Sequence, residues 1–214
     1  MTEENGVSKR YVVICAYNEH PVRNAFTPRE GDFVVCADGG YTLAAAEGIC
    51  PHLVMGDFDS SAPPSDAEFE VIRLPAEKDD TDTLACVKLG IARGYEDFLI
   101  VGGMGGRLDQ TLANLQTLAY AHAQGKRIAM ADERNVVTLL EGGTVQIPCR
   151  EGFKLSLLAF SNTCAGVSVS GVKYPLSGVI LKNTFPLGVS NDFAADCATV
   201  SVQEGQLLVI LSQD

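Results

Sequence analysis

The first two-thirds of the chain alternates short apolar runs with segments of helical periodicity, and this alternation strongly constrains the fold. The apolar runs are continuous and rich in β-branched residues, which is typical of strands buried on both faces of a parallel sheet. Strands that alternate with helices indicate βαβ units and an open α/β sheet. The predicted strands are Tyr11–Ala16, Phe33–Ala37, His52–Met55, Val71–Leu74, Phe98–Val101 and Ile128–Ala131.

Two helices are predicted from the spacing of their apolar residues. The first follows Thr81 and ends near Gly94, and its apolar face is marked by Leu84, Val87 and Ile91. The second has Asp109 near its start and Gly125 at its end. Its apolar face is predicted to comprise Leu108, Leu112, Leu115 and Leu118.

From about Glu141 the helical periodicity disappears, and short apolar runs are separated by Gly, Asn, Ser and Pro. This spacing predicts an antiparallel sandwich or barrel, with Glu204-Gly205 as a tight hairpin between the last two strands. We therefore expect an N-terminal α/β domain over residues 1–140, with a mostly parallel sheet flanked by helices, and a C-terminal all-β sandwich over residues 141–214. The predicted C-terminal strands are Thr144–Ile147, Lys154–Ala159, Gly166–Ser170, Val179–Lys182, Ala198–Gln203 and Gln206–Leu211.

Five carboxylates are concentrated in two short turns, Gly56-Asp57-Phe58-Asp59-Ser60 and Asp79-Asp80-Thr81-Asp82. If the fold brings the turns together, like charges at ~4 Å repel by roughly 4 kcal/mol at an effective dielectric near 20. A divalent cation would relieve this repulsion, and ligands that are all oxygen atoms favour Mg²⁺. The sequence therefore predicts a magnesium site at these turns.

A glycine-rich segment, Gly102-Gly103-Met104-Gly105-Gly106-Arg107, follows the strand Phe98–Val101 and precedes a helix. Glycines let backbone N–H groups approach a ligand closely, and a helix N-terminus and an arginine both favour phosphate oxygens. The segment matches neither the P-loop nor the G-x-G-x-x-G pattern. Asp38-Gly39-Gly40 follows another strand, so several polar clusters are expected at one sheet edge, where ligands bind in open α/β sheets. For Lys78, contact with a phosphate and full exposure to solvent are equally compatible with the sequence.

The composition excludes some classes of partner. A net charge of -11 argues against a nucleic-acid surface, which needs a basic stripe. The seven cysteines include no C-x-x-C pair, which favours reduced thiols in a cytoplasmic protein. No stretch approaches the ~20 apolar residues of a membrane span, and no signal peptide is evident. We expect a soluble, cytoplasmic protein without nucleic-acid or membrane partners.

The motifs, in their order along the chain, resemble those of the thiamine pyrophosphokinase family. They are Asp38-Gly-Gly, Gly56-Asp-Phe-Asp-Ser60, Asp79-Asp-Thr-Asp82, Gly105-Gly-Arg-Leu-Asp-Gln110 and Ser190-Asn191. The resemblance implies an enzyme that transfers a diphosphoryl group from ATP to the hydroxyl of thiamine, giving thiamine diphosphate and AMP. It also implies a homodimer in which each active site lies between the α/β domain of one subunit and the sandwich of the other.

The resemblance assigns roles to particular residues. The implied Mg²⁺ ligands are Asp57, Asp59 and Asp82. These three, with Arg107 and Asp109, are the expected catalytic residues, and the proton acceptor remains open among Asp59, Asp82 and Asp109. The residues expected around ATP are Asp38, Gly39, Gly40, Lys78, Gly102, Gly103, Arg107 and Gln110. The residues expected to hold thiamine are Tyr174, Ser190 and Asn191, with Tyr174 standing where animal members have a tryptophan.

Two other functions compete with this assignment. An Mg²⁺-dependent nucleotide phosphohydrolase carries similar aspartate pairs, but it needs no acceptor pocket such as Tyr174, Ser190 and Asn191 would provide. A non-catalytic nucleotide sensor on the same fold would be expected to lack some of the metal carboxylates, and the matching ones are all present.

Overall fold

The computed structural model describes residues 9–58, 69–75, 77 and 79–214. The chain divides into two compact units between Glu133 and Arg134. In the described residues, helices occur in the N-terminal unit, whereas the regular structure of the C-terminal unit is made of strands.

The N-terminal unit contains a parallel sheet. Its described strands are β1 (Arg10–Ile14), β2 (Phe33–Ala37), β3 (Leu53–Gly56), β4 (Glu70–Arg73), β5 (Asp97–Val101) and β6 (Arg127–Ala131). Their spatial order is β4-β3-β2-β1-β5-β6, and each neighbouring pair is parallel. Val12, Val13 and Ile14 of β1 are fully buried, as expected for a strand covered on both faces. The predicted parallel sheet is confirmed.

Helices pack on both faces of this sheet. They are α1 (Val22–Ala25), α2 (Gly40–Ala46), α3 (Asp82–Ala92) and α4 (Leu108–Ala123). Because successive strand residues point to opposite faces, Val12 and Ile14 share a buried cluster with Val22 of α1 and Ala44 of α2. Tyr11 lies on the opposite face, where a Cβ atom added to Gly90 of α3 would come within 2.9 Å of its ring.

The apolar face predicted for α4 is partly wrong. Leu108 and Leu112 are 71% and 53% exposed, respectively, and only Leu118 of the predicted stripe is fully buried. The buried face instead consists of Asn114, Thr117, Leu118 and Ala121. These residues also follow helical spacing, so the periodicity was present in the sequence but was carried partly by polar side chains.

The order of the strands creates a topological switch point beside β1. The chain continues from β1 to β2, β3 and β4 on one side, and then returns to β5 on the other side of β1. Ligands of open α/β sheets bind at the carboxyl ends of the strands at such a point. The segments that follow β1 and β5 therefore border the expected binding position.

The C-terminal unit is antiparallel. Its described strands are β7 (Asn135–Pro148), β8 (Lys154–Ala159), β9 (Thr163–Ser170), β10 (Leu176–Lys182), β11 (Gly188–Asn191) and β12 (Cys197–Ser212). The long strand β12 pairs with β7 along both of its halves, with β9 along its first half and with β8 along its second half. Side chains of β8, β9, β10 and β12 enclose one buried apolar cluster.

The tight hairpin predicted at Glu204-Gly205 is wrong. The two runs on either side of it form the single strand β12, whose register against β7 shifts between Val202 and Gln206. Gly205 has a φ of 90°, and a Cβ atom there would lie 2.3 Å from the Thr163 carbonyl oxygen. The glycine therefore permits an irregularity within a strand rather than a reversal of the chain.

Candidate active site

A cleft of about 340 Å³ lies at the switch point of the N-terminal unit. It is formed by the segments that follow β1, β2 and β5 and by the first turns of α3 and α4. Its lining residues are Cys15, Ala16, Tyr17, Ala37, Asp38, Asp82, Thr83, Gly103, Gly105, Arg107, Gln110 and Asn114. Five residues predicted from the sequence, Asp38, Asp82, Gly103, Arg107 and Gln110, are thus brought to one cavity.

Asp38 directly follows β2 and has a left-handed backbone, with a φ of 44°. This conformation is costly for a residue with a side chain and occurs preferentially at functional sites. The Asp38 amide donates a hydrogen bond of 2.8 Å to the Met55 carbonyl, which ties the residue to the adjacent strand β3. The next two residues, Gly39 and Gly40, form the start of α2, and a Cβ atom at Gly40 would lie 2.2 Å from the Ile14 carbonyl oxygen.

The turn that begins at Gly56 lies against Asp38. A Cβ atom added to Gly56 would lie 2.9 Å from the Asp38 Cα atom, so only glycine allows the two strand ends to approach this closely. Asp57 follows and is half-buried, and Phe58 has a φ of 55°. The predicted ligand Asp59 lies outside the described residues.

Asp82 is the first residue of α3, and its position is fixed by the cap of that helix. The Thr81 hydroxyl accepts a hydrogen bond of 3.2 Å from the Leu84 amide. Asp80 accepts hydrogen bonds of 2.7 Å from Lys88 with both carboxylate oxygens, and it does not line the cleft. Lys78, the predicted phosphate contact, lies outside the described residues.

The glycine-rich segment adopts backbone conformations that favour glycine. Gly102 and Gly103 have φ values of 75° and 73°, and Gly105 and Gly106 have φ values of 86° and 59°. The Gly103 amide donates a hydrogen bond of 2.7 Å to the Tyr17 carbonyl. The segment is therefore fixed by its neighbours, and two of its glycines, Gly103 and Gly105, line the cleft.

Three residues that support this segment were not predicted. The Asn114 side-chain amide, which is buried in α4, donates a hydrogen bond of 2.9 Å to the Gly103 carbonyl. Cβ atoms added to Gly102 and Gly106 would lie 2.2 Å from the Asn18 Nδ2 atom and 2.9 Å from the Tyr17 ring, respectively. Tyr17 and Asn18 directly follow the predicted strand Tyr11–Ala16, so the rule that polar residues after a strand mark a site would have found them. Asn114 had no such signal.

Cys15 also lines the cleft, and its chemistry is that of a neutral thiol. Burial raises the pKa of the Cys15 thiol to about 11, although its hydrogen bond with Thr83 lowers it. The Sγ atom lies 3.5 Å from the Thr83 hydroxyl. Because the thiolate is the nucleophilic form, this geometry does not favour a covalent role.

Arg107 and Asp109 form an exposed ion pair at the start of α4. Their closest atoms, Nη2 and Oδ2, are 2.6 Å apart, and the two side chains are 74% and 65% exposed. The hydrogen bond from Arg107 holds the pKa of Asp109 below its usual range. Arg107 reaches the cleft, whereas Asp109 is not among the residues that line it.

The three residues predicted to hold thiamine lie together in the C-terminal unit. Asn191 bonds to the backbone of Tyr174 through both groups of its side-chain amide. Ser190 has a φ of 61°, and its amide donates a hydrogen bond of 2.9 Å to the buried Ser156 hydroxyl. Tyr174 exposes 62% of its surface.

The carboxylates of the N-terminal unit suit a hard cation. Asp38 and Asp82 line one cleft, and Asp57 follows the glycine that contacts Asp38, so the donor set consists of the oxygen ligands that Mg²⁺ takes. Within the described residues, which exclude Asp59, no group of three His, Cys, Asp or Glu side chains is arranged to hold a metal ion. The donor chemistry fits magnesium, and the complete ligand set remains a proposal.

Comparison with known proteins identifies the same family for both units. Residues 28–130 match the family model described as "Thiamin pyrophosphokinase, catalytic domain", and residues 144–207 match "Thiamin pyrophosphokinase, vitamin B1 binding domain". The chain is 28% identical over 183 residues to the thiamine pyrophosphokinase of Bacillus subtilis, covering 83% of this chain and 86% of that protein.

Solved structures share the fold. The crystal structure of thiamine pyrophosphokinase from Bacillus subtilis superposes with a TM-score of 0.85 at 24% identity, covering 96% of this chain and 100% of that one. A thiamin pyrophosphokinase family protein from Enterococcus faecalis gives a TM-score of 0.82 at 26% identity, covering 96% and 99%. The two family models, which together match residues 28–130 and 144–207, show that the chain belongs to the thiamine pyrophosphokinase family.

Proposed function

We propose that this protein transfers a diphosphoryl group from ATP to the hydroxyl of thiamine, giving thiamine diphosphate and AMP. Membership of the family supports the thiamine pyrophosphokinase activity. The observation that carries the proposal is the cleft at the switch point, which combines the carboxylates of Asp38 and Asp82 with the guanidinium of Arg107. Carboxylates for a metal ion and donors for phosphate oxygens are the two requirements of a phosphoryl-transfer site.

The phosphates of ATP are proposed to bind along the glycine-rich segment. Its glycines allow a close approach of the backbone, and α4 begins directly after Arg107. The N-terminus of a helix of this length carries a partial positive charge that favours phosphate oxygens. Arg107 adds a charged donor at the cleft, and its pairing with Asp109 keeps the guanidinium at the start of α4.

Mg²⁺ is proposed to be held by Asp57, Asp59 and Asp82. When bound, it would neutralise charge on the transferring phosphates. Asp82 is positioned for this role by the capped start of α3, and Asp57 by the close approach of Gly56 to Asp38. Asp80 is a weaker candidate because its carboxylate is paired with Lys88.

The reaction forms a bond between the thiamine hydroxyl oxygen and the β-phosphorus of ATP. The bond between that phosphorus and the oxygen bridging to the α-phosphorus breaks, and AMP leaves with this oxygen. The hydroxyl proton passes to a carboxylate, for which Asp59, Asp82 and Asp109 are candidates. The hydrogen bond from Arg107 lowers the pKa of Asp109, which makes its carboxylate a weaker base than an ordinary aspartate.

Thiamine is proposed to bind against the C-terminal unit, whose antiparallel strands we interpret as a sandwich around the buried cluster of β8, β9, β10 and β12. The exposed ring of Tyr174 is a platform for the aromatic rings of thiamine, including the cationic thiazolium. The family resemblance supports a homodimer in which this surface completes the site of the partner subunit.

A cytoplasmic location is proposed from the state of the cysteines. None of the seven, all of which lie in the described residues, forms a disulfide bond, and Cys15, Cys36, Cys86 and Cys164 are buried. Free thiols are the usual state in a reducing compartment. Among the helices of the described residues, none has the length and apolar character needed to cross a membrane.

Product analysis tests the proposed function. Purified protein incubated with ATP, Mg²⁺ and thiamine should release AMP and thiamine diphosphate in equal amounts, and omission of thiamine should stop ATP consumption. ADP or inorganic phosphate as the main product would instead identify a nucleotide phosphohydrolase. Binding of ATP without any turnover would identify a nucleotide sensor.

A further inference from the structure

Asn191 uses both groups of its side-chain amide to hold the backbone of a single residue. The Tyr174 amide donates a hydrogen bond of 3.0 Å to Asn191 Oδ1. Asn191 Nδ2 donates a hydrogen bond of 2.8 Å to the Tyr174 carbonyl. Because both bonds go to the same residue, the plane of the Asn191 amide is fixed relative to the Tyr174 backbone.

These two bonds extend a short antiparallel pairing of the backbone. The Lys173 amide donates a hydrogen bond of 2.9 Å to the Asp192 carbonyl, and the Ala194 amide donates one of 2.9 Å to the Gly171 carbonyl. At the next position along the chain, the side chain of Asn191 takes the place of a peptide group. The side-chain amide of Asn191 thus satisfies the Tyr174 N–H and C=O groups, one position beyond the last pair of residues joined by backbone hydrogen bonds.

The backbone of Asn191 is itself anchored. Asn191 pairs with Leu155 of β8. The preceding amide, that of Ser190, bonds to the hydroxyl of Ser156, a residue that is only 6% exposed. Asn191 is therefore a fixed support, and Tyr174 is the residue that it positions.

Tyr174 combines a fixed backbone with an exposed ring. Its ring lies 5.4 Å from Lys173 Nζ, and 62% of the residue surface is accessible. Pro175 follows and restricts the Tyr174 backbone further. Holding an exposed aromatic ring in one place lowers the entropy that a stacked ligand must lose on binding.

We propose that Asn191 is a positioning residue that acts on thiamine binding through Tyr174 and is not itself a thiamine ligand. The inference rests on the proposed function, because it concerns how the thiamine surface is built. In this proposal the Tyr174 ring stacks on thiamine, and Asn191 holds the Tyr174 backbone so that the ring stays exposed.

A double-mutant cycle with Asn191→Ala and Tyr174→Ala separates the two roles. Each single variant should weaken thiamine affinity on the order of tenfold, because the platform is either removed or loosened. The double variant should bind no more weakly than Tyr174→Ala alone. Thiamine affinity is measured by titration calorimetry on the whole chain. The KM for ATP is measured by steady-state kinetics and should not change. Losses that multiply in the double variant would overturn the proposal.

Asn191→Asp provides a second and independent test. It keeps an acceptor for the Tyr174 amide, but it loses the donor and places a negative charge beside the Tyr174 carbonyl. Positioning through Tyr174 therefore predicts weaker thiamine binding. If Asn191 instead contacted the cationic ligand directly, the new charge would strengthen binding, and that result would overturn the proposal.

Two control variants define the baseline. Asn183→Ala removes an exposed asparagine whose side chain donates a long hydrogen bond of 3.4 Å to Asn162, and it should leave thiamine affinity unchanged. Tyr174→Phe keeps the ring, so Asn191→Ala should still weaken binding in that background; no further loss there would contradict the role of the ring.

The outcomes also distinguish this inference from the proposed function. A wild-type protein that neither binds thiamine nor converts it would overturn both. A wild-type protein that converts thiamine, combined with multiplicative losses in the cycle, would overturn the inference alone.

Discussion

In the N-terminal unit the candidate residues are placed by the order of the strands, whereas in the C-terminal unit they are placed by hydrogen bonds from side chains to backbone. Asp38 and Gly103 meet in one cleft because β1 lies between β2 and β5. Tyr174 and Ser190 are held by single side chains, those of Asn191 and Ser156. The first arrangement depends on the whole sheet, and the second depends on a few local contacts.

This difference predicts how each region responds to substitution. A change at the cleft alters groups that are proposed to contact phosphate or metal, so it should lower turnover and ATP affinity. Removal of these contacts in the C-terminal unit frees the backbone of Tyr174 or Ser190. Such a change should therefore weaken thiamine binding and leave ATP binding unchanged. Substitutions in the N-terminal unit should therefore change the KM for ATP, and substitutions in the C-terminal unit should change the KM for thiamine.

The largest effect is expected from Asp57→Asn, which removes a proposed Mg²⁺ ligand. Loss of groups that merely orient metal ligands costs 10–100-fold, so turnover should fall by about 100-fold or more. Circular dichroism should show an unchanged fold. Asp97→Asn makes the same change at the start of β5, away from the cleft, and should leave turnover unchanged. Activity of Asp57→Asn within a few-fold of wild type would rule out the metal assignment.

Gly103→Ala is expected to weaken ATP binding about tenfold, by displacing the segment that carries the proposed phosphate donors. Its Cβ atom would lie 2.5 Å from Asn114 Nδ2, in addition to the strain of a φ of 73°. Gly125→Ala has the same φ of 73°, but its added Cβ atom would meet no atom of the described residues within 4 Å. The control should therefore show only the strain, about 1–2 kcal/mol of stability, with no change in ATP affinity. Equal ATP affinities for the two variants would contradict the prediction.

Ser156→Ala tests the C-terminal unit and should have a smaller effect. It removes the acceptor of the Ser190 amide, which should lower stability by about 1 kcal/mol and raise the KM for thiamine a few-fold. The KM for ATP should stay constant. Ser170→Ala, an exposed serine at the end of β9, serves as the control. A matching increase in both KM values for Ser156→Ala would show that the two regions are not separable.

The last contrast concerns stability rather than activity, and it lies within the N-terminal unit, between the buried Arg10–Asp32 ion pair and the exposed Arg107–Asp109 ion pair. Asp32 is nearly buried and accepts hydrogen bonds from the Arg10 side chain and the Arg29 amide. Burial raises the pKa of Asp32, but the hydrogen bonds lower it by a larger amount, so the net shift of the pKa is downward. A carboxyl group whose pKa is lowered by folding stabilises the fold at pH values above its pKa in the unfolded chain, which is about 3.9. This contribution is lost as the pH falls through the pKa of the group in the folded protein.

Asp32→Asn should accordingly lower the free energy of unfolding by about 1–3 kcal/mol at pH 7. The difference from wild type should shrink as the pH falls below 4 in a urea-unfolding series. Asp109→Asn should leave stability unchanged at either pH, because that pair is exposed. A pH-independent loss for Asp32→Asn would show that the charge of Asp32 is not the stabilising feature.

The parallel sheet was predictable because its strands are continuous apolar runs, and several residues that line the cleft were predictable because they lie after such runs. Asp38, Asp82 and Gly103 fall into this class. Strand order was not predictable, because no local pattern states that β5 returns to the far side of β1. Without that order, the cleft could not be placed between the segments after β1 and β5.

The errors share a physical cause. The predicted face of α4 followed its leucines, whereas Asn114 and Thr117 are buried because they bond to backbone carbonyls. The predicted hairpin at Glu204-Gly205 followed turn composition, whereas Gly205 meets a close approach of the Thr163 carbonyl within one strand. The hydrogen bond of Asn114 to Gly103 and the approach of Thr163 to Gly205 are tertiary contacts, which composition does not encode.

Transfer of labelled phosphorus tests the central claim most directly. With ATP labelled at its β-phosphorus, the protein should place the label in thiamine diphosphate, in a one-to-one ratio with unlabelled AMP. Label that remains in ADP, or that appears in inorganic pyrophosphate while thiamine is unchanged, would contradict the proposed attack of thiamine on the β-phosphorus.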